Sequence, residues 1–256
     1  MGLAKEVAYS SLLAFFPAVI ALIGLLDVIN AYGALQKFID PVAPKAVTQL
    51  IQTFQQDSGG SGSIVALVIG TLAAVWAASG AMGAVVKAVN RTYGRRETRP
   101  WWKVKLVSIV LVLASALVTA GMLLLIVVGG TLGDAISRRS HLGGSFTWTW
   151  NILRWPIAFA AVLLLFELIY YLAPNNEQRT WRWVTPGAVA GGLAWVALSG
   201  LFALYTSLSS SYTKTYGALA GGIILLLWLN YSAWAVLFGA ELNAQLDREA
   251  ASSRDM

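Results

Sequence analysis

Six stretches of this 256-residue chain are each apolar over twenty residues or more: 7–26, 64–86, 106–128, 152–172, 186–205 and 218–240. Together they take about half the sequence. A hydrocarbon core of about 30 Å needs roughly 20 apolar residues in a helix. Strands of a membrane barrel would be about ten residues long and strictly alternating, and no such alternation is present. The expected fold is therefore an all-α integral membrane protein, a six-transmembrane-helix bundle forming one domain over residues 1–247, with 248–256 as a short cytoplasmic tail. Composition agrees. Charged residues make up 12% of the chain, against about a quarter in soluble domains.

The first stretch begins near Met1, so a signal peptide is its rival reading. That reading needs a basic start, a short apolar run and a small-residue cleavage site. Here Glu6 offsets Lys5, and the run is long and interrupted by Pro17. Orientation follows from the basic residues. With the N-terminus inside, the inner segments hold Lys5, Lys87, Arg91, Arg95, Arg96, Arg99, Lys103, Lys105, Arg179, Arg182, Arg248 and Arg254. The outer ones hold Lys37, Lys45, Arg138, Arg139, Arg154 and Lys214. Twelve against six places both termini in the cytoplasm of an inner-membrane protein. Trp101, Trp102, Trp148, Trp150, Trp155, Trp181 and Trp183 flank span starts, where indoles prefer the interface.

The segment from Lys87 to Lys105 carries seven basic residues against Glu97. Beside a bilayer, such a loop sets topology and meets anionic lipid headgroups. The net charge of +6 therefore calls for no nucleic-acid partner, since no soluble module with stacking aromatics accompanies it. In the first outer loop, Val47, Leu50, Ile51 and Phe54 recur at helical spacing opposite several glutamines. That pattern predicts a short amphipathic helix. Residues 57–63, rich in glycine and serine, are expected to be a flexible tether without the features of a phosphate loop. Residues 207–214 form a hydroxyl-rich outer loop.

Candidates for chemistry are few. One histidine, His141, and no cysteine leave no metal site and no cofactor to expect. Ser211 and Lys214 match a serine–lysine spacing by chance more readily than by function. Glu167, near the inner end of the fourth span, costs energy unless it faces a cavity or a partner, for which Arg179 and Arg182 are expected. Asn230 lies near the middle of the sixth span, where an interhelical hydrogen bond is its ordinary role. Pro17 removes a helical hydrogen bond and is expected to kink or unwind the first span, opening it to a cavity. A candidate polar path comprises Tyr9, Ser10, Ser11, Pro17, Asn90, Glu167, Tyr170, Asn230 and Tyr231. Gly187 with Gly191, and Gly217 with Gly221, have the spacing that lets helices approach closely. Self-association through such faces is one expectation.

Several signatures follow in order along the chain: the run from Ala8 through Tyr9, Phe15 and Phe16 to Pro17; Ala88-Val89-Asn90-Arg91-Thr92-Tyr93; Tyr170-Tyr171-Leu172-Ala173-Pro174-Asn175; Trp183-Val184-Thr185-Pro186-Gly187-Ala188 with Trp195; and Tyr216-Gly217, Trp228-Leu229-Asn230-Tyr231 and Gly239-Ala240-Glu241-Leu242-Asn243. Together they resemble the YihY/BrkB family of bacterial inner-membrane proteins. The family usually carries a basic amphipathic stretch before the first span, whereas six residues precede Val7 here; a shortened front end is the expectation. The resemblance implies a six-helix envelope protein tied to integrity or virulence, with transport suspected. It also brings the old label ribonuclease BN. The residues oppose that label, because RNA hydrolysis needs positioned acid–base groups or metal ions.

Two functions of different class follow. The first is a transporter, channel or lipid-handling protein working through a cavity and the basic loop. The second is a scaffold that binds envelope partners through its small-residue faces, its polar groups paired in a dry core. A membrane enzyme is the least supported.

Overall fold

The computed structural model describes residues 2–28, 61–123, 125, 143–175, 183–208 and 218–253. Six long helices make up nearly all of them, and no strand occurs among the described residues. They are α1 (Gly2–Val28), α2 (Ser61–Thr92), α3 (Trp101–Leu123), α4 (Gly143–Leu172), α5 (Pro186–Leu208) and α6 (Ala218–Ser252). Five segments are long and apolar enough to cross a membrane: Val68–Thr92, Trp101–Met122, Trp148–Leu172, Pro186–Thr206 and Gly221–Ser252. In lipid, a helix satisfies its backbone internally, which is why apolar segments of this length adopt no other form.

Three expectations need adjusting. The helix continues from Gly2 to Val28 through Pro17, so the first span does not open there. Proline removes a single donor and its fixed φ suits a helix, leaving the rest of the ladder to hold. Ser61, Gly62 and Ser63 belong to α2 rather than to a tether. Helix α6 runs well past residue 240, to Ser252, so that residues 248–252 of the expected tail are helical. The expected amphipathic helix around Val47–Phe54 lies outside the described residues.

The chain divides into two compact units, one drawn from Met1–Ala84 and Phe202–Asn230, the other from Val85–Leu201 and Tyr231–Met256. In the first, small side chains make the buried faces: Ala4, Ala8 and Ala14 on α1, and Ala74, Ser79 and Ala81 on α2. The Ser79 hydroxyl donates to the Trp76 carbonyl at 2.6 Å, so its burial leaves no unmet polar group. Ile69, Leu72 and Trp76 point outward.

In the second unit, α3 packs on α4. Val86, Val89, Leu111, Ala173, Ala188 and Ala240 are sealed from solvent, with Phe166 and Ile169 nearly so. Buried Ser108 and half-buried Ser115 donate back to the carbonyls of Val104 and Leu111 on their own helix. The outer faces are again apolar, Leu117 being 75% exposed. Only 11–28% of each membrane-length window is buried within the protein. Such surfaces require hydrocarbon around them, as a bilayer supplies.

Candidate functional site, a polar clasp between helix ends

The second unit gathers its buried polar groups at one end, where α2, α4, α5 and α6 meet. Helix α2 stops by a two-bond C-cap. The Gly94 amide donates to the Arg91 carbonyl at 3.1 Å and the Arg95 amide to the Asn90 carbonyl at 2.9 Å. This cap requires a left-handed residue, and Gly94 takes φ 67°, where a side chain would be strained. The turn aims the following strap back along the helix ends.

Asn90 fixes that strap. Its Nδ2 donates to Glu97 Oε2 at 2.7 Å, and its Oδ1 accepts the Asn175 amide proton at 2.6 Å. Asn175 answers with Nδ2, which donates to the Arg96 carbonyl and to Thr98 Oγ1. Arg99 grips Glu97 through two parallel bonds, Nε to Oε1 at 2.7 Å and a terminal nitrogen to Oε2 at 2.6 Å. The same guanidinium donates to the carbonyls of Ala173 (2.9 Å) and Leu172 (3.4 Å). A cation there satisfies the last carbonyls of α4 and complements the negative end of its dipole. The Arg99 hydrogen bonds hold the Glu97 carboxyl below its ordinary range, with partial burial opposing them.

The start of α5 is the other half. Thr185 precedes Pro186, a hydroxyl at the N-cap and a proline at the first helical position. Thr185 Oγ1 accepts from the Ala188 amide and donates to Glu167 Oε2 at 2.8 Å, and the Thr185 amide donates to the same oxygen at 3.0 Å. Glu167 is 97% buried, and these two donors at the start of α5 meet the hydrogen-bonding need of its carboxyl oxygen. Asn243 of α6 completes the cap: its Oδ1 accepts from the Gly187 amide at 2.8 Å, and its Nδ2 donates to Thr185 Oγ1 at 2.9 Å. Burial pushes the Tyr93 hydroxyl up to about 12, against a hydrogen bond with Asn243 that favours the phenolate; Asp247 and Glu167 repel the phenolate further. Arg248 reaches the Thr92 carbonyl at 3.2 Å and ties α6 to the end of α2.

Close approach of backbones makes this geometry possible. A Cβ on Gly187 would strike the Gly239 carbonyl, and one on Gly239 would strike the Gly187 carbonyl and the Tyr170 hydroxyl. A Cβ on Gly191 would sit 2.9 Å from the Tyr170 hydroxyl and 3.0 Å from the Ala235 carbonyl. Tyr170 itself donates to the Val236 carbonyl at 2.8 Å. The crossing of α5 over α6 is thus fitted around one phenol.

Of the expected polar path, Asn90, Glu167 and Tyr170 fall in this clasp, each engaged by protein. Glu167 takes its donors from Thr185; Arg179 and Arg182 lie outside the described residues. Tyr9 is exposed and Ser10, Ser11 and Pro17 are half-buried on α1. Asn230 is half-buried on α6, and Tyr231 stands edge-on to Trp234. Gly187 and Gly191 lie against neighbouring helices. Gly221 instead is exposed with open space where a Cβ would go, so no close approach exists there among the described residues; Gly217 falls outside them. In the basic loop, Arg99 is drawn into the clasp, Lys87 and Lys105 have partners, and Arg91, Arg95, Arg96 and Lys103 are exposed. Lys103 lies over the Trp102 ring at 5.4 Å.

The sequence marked Arg99 and Glu97 only as charges of the basic loop, and Tyr93, Asn175, Thr185 and Asn243 only as parts of the family signatures, with no bonding role for any of them. The Thr185-Pro186 pair carried a readable capping signal. The others reveal themselves only through contacts distant in sequence. Among the described residues, no group of three or more His, Asp or Glu side chains could hold a metal ion.

The family model described as Virulence factor BrkB matches residues 1–256, and the chain belongs to that family. It is 31% identical over 248 residues to YfkH of Bacillus subtilis, which is named as ribonuclease-like; the match covers 95% of this chain and 88% of YfkH. It is 28% identical to a UPF0761 membrane protein of Aromatoleum aromaticum, covering 95% of this chain but 59% of that longer relative. A UPF0761 membrane protein of Alteromonas mediterranea is 26% identical, with 95% and 81% covered. No solved structure matches the chain.

Proposed function

We propose that this member of the BrkB family crosses the bacterial inner membrane six times, with both termini in the cytoplasm, and handles anionic lipids or similar amphiphiles rather than conducting water or ions. One observation carries the reading. The polar groups that would line an aqueous path at the basic end of the second unit are spent on one another, while exposed cations stand on the surface beside exposed indoles.

Asn90, Glu167, Tyr170, Thr185 and Asn243 all have protein partners. Hydrating them would require breaking bonds worth about 1 kcal/mol each, more for the charged ones. Arg95 and Arg96 sit instead on a strap locked by Asn90, Asn175 and Arg99, with exposed Arg91 at the end of α2 and Lys103 at the start of α3 flanking it. Trp101, 76% exposed, and Trp102 mark the interface plane beside them. A cluster of cations just outside a spanning helix attracts anionic headgroups. The six-crossing count adds α1 to the five membrane-length segments, and the basic residues give the orientation.

No enzymatic step is assigned. A single histidine and no cysteine supply none of the pairs that hydrolysis of RNA would use, so the name of YfkH is not carried over. The scaffold reading stands second, favoured by the same closed clasp.

Reconstitution in vesicles of phosphatidylglycerol and phosphatidylethanolamine tests the choice. Fluorescent phosphatidylglycerol should exchange between leaflets faster than in protein-free vesicles, while trapped dye and ion gradients persist. Ion leakage without lipid movement would restore the channel reading, and neither would leave the scaffold.

A further inference from the structure

We infer that Arg154, at the end of α4 remote from the clasp, holds the phosphate of an anionic lipid in the outer leaflet; the inference rests on the lipid-handling reading above. Arg154 lies seven residues into the segment Trp148–Leu172. The Nε atom is buried with no hydrogen-bond acceptor. The guanidinium carbon stands 5.7 Å from the centre of the Trp155 ring, and Arg154 takes part in no ion pair among the described residues. Glu167, the acid of the same helix, is thirteen residues further on, about 20 Å along the axis, and is held by Thr185.

A cation left without a counter-charge at membrane depth is costly. Side chains on a helix lean toward its N-terminus, so Arg154 is carried toward the start of α4. Phe146 and Trp150 precede it at four-residue intervals on one stripe and stack at 6.4 Å. Trp148 and Trp155 are exposed on the same end of the helix. Indoles settle at headgroup level, so the guanidinium comes to the depth at which lipid phosphates lie. Exposed Ile157 and Leu164, deeper along the neighbouring face of the helix, offer the acyl chains an apolar wall below it. A guanidinium presents its donors as a planar fork matched to phosphate oxygens. Phosphate chemistry, an acyl-facing wall and a guanidinium with no counter-charge among the described residues thus coincide at one place.

The test uses the full chain in neutral detergent, with phosphatidylglycerol, phosphatidylcholine and inorganic phosphate as separate probes. Native mass spectrometry should count retained phosphatidylglycerol, with Arg154→Gln lowering its apparent affinity several-fold and Arg154→Lys less. Inorganic phosphate should neither bind nor compete. Should Arg154→Gln fail to fold, a single cysteine at Leu153 in the native cysteine-free chain, carrying an environment-sensitive dye, leaves Arg154 untouched. That dye should respond saturably to phosphatidylglycerol and not to phosphatidylcholine.

Equal retention by Arg154→Gln and the unaltered protein, or equal dye responses to both lipids, would overturn the site. So would displacement by inorganic phosphate. Loss of phosphatidylglycerol only in Arg95→Gln/Arg96→Gln/Lys103→Gln would overturn the Arg154 site and leave the lipid reading standing. Loss in neither variant would remove both.

Discussion

Asn243, on the far extension of α6, accepts a hydrogen bond from the backbone amide of Gly187 in the first turn of α5 at 2.8 Å. A side chain from one helix thereby caps another, and through Thr185 the cap extends to Glu167 on α4. Truncation by Asn243→Ala leaves the Gly187 amide buried without an acceptor and takes a donor from Thr185. The expected cost is about 2–3 kcal/mol, read as a clear fall in melting temperature in detergent. Gln245→Ala, two residues on and exposed, should melt as the unaltered protein does. Equal melting of the two variants would show that the cap is dispensable.

The glycines divide by environment rather than by spacing. Gly187→Ala and Gly239→Ala each drive a methyl into the opposing backbone, where no rotamer change makes room. Either should cost about 3 kcal/mol or more and reduce the yield of folded protein. Gly221→Leu adds a side chain into open space and should leave the melting temperature unchanged. Size-exclusion profiles of the three variants with a fluorescent fusion would separate these outcomes.

The membrane character, most helix positions and the basic loop were legible in the sequence, because twenty-residue apolar runs and clustered arginines act locally and need no partner to be recognised. Gly187 was legible for the same reason, its spacing with Gly191 being short. Gly221 has matching spacing and, among the described residues, nothing where a Cβ would go, since spacing reports what a helix permits and not what stands opposite it. The unwinding expected at Pro17 does not occur for a related reason: a proline breaks a helix only when nothing else holds the ladder. The clasp was hidden because its bonds join residues such as Asn90 and Asn175, eighty-five positions apart. Even so, the segments that carry the family resemblance, around Asn90, Tyr170, Asn175, Thr185 and Asn243, are the ones that meet there.

Topology gives a prediction independent of any side-chain contact. A periplasm-dependent reporter fused after Ser58 or Ser210 should be active, and one fused after Arg96 or Arg254 silent, as the twelve-to-six division of basic residues requires. Activity after Arg96 would invert the assignment of the basic loop and with it the leaflet assigned to Arg154.

The Glu97–Arg99 pair makes the strap sensitive to acid in a defined direction. Hydrogen bonds from Arg99 hold the Glu97 carboxyl below its ordinary value of 4.5, so the folded protein favours the carboxylate more than the unfolded chain does. The contribution of Glu97 is therefore fully present above the unfolded value and is lost as pH falls through the lower folded one. Protonation removes the charge that Arg99 grips by two bonds, and Arg99 in turn holds the last carbonyls of α4. Melting measured from pH 7 down to pH 3 should show Glu97→Gln less stable than the unaltered protein near neutrality, the difference shrinking as the carboxylate of the latter is titrated. Arg99→Gln should lower stability at neutral pH by more than Glu97→Gln, because it also frees the Leu172 and Ala173 carbonyls. A gap between Glu97→Gln and the unaltered protein that stays constant across this range would mean that the charge of Glu97 contributes nothing to the clasp.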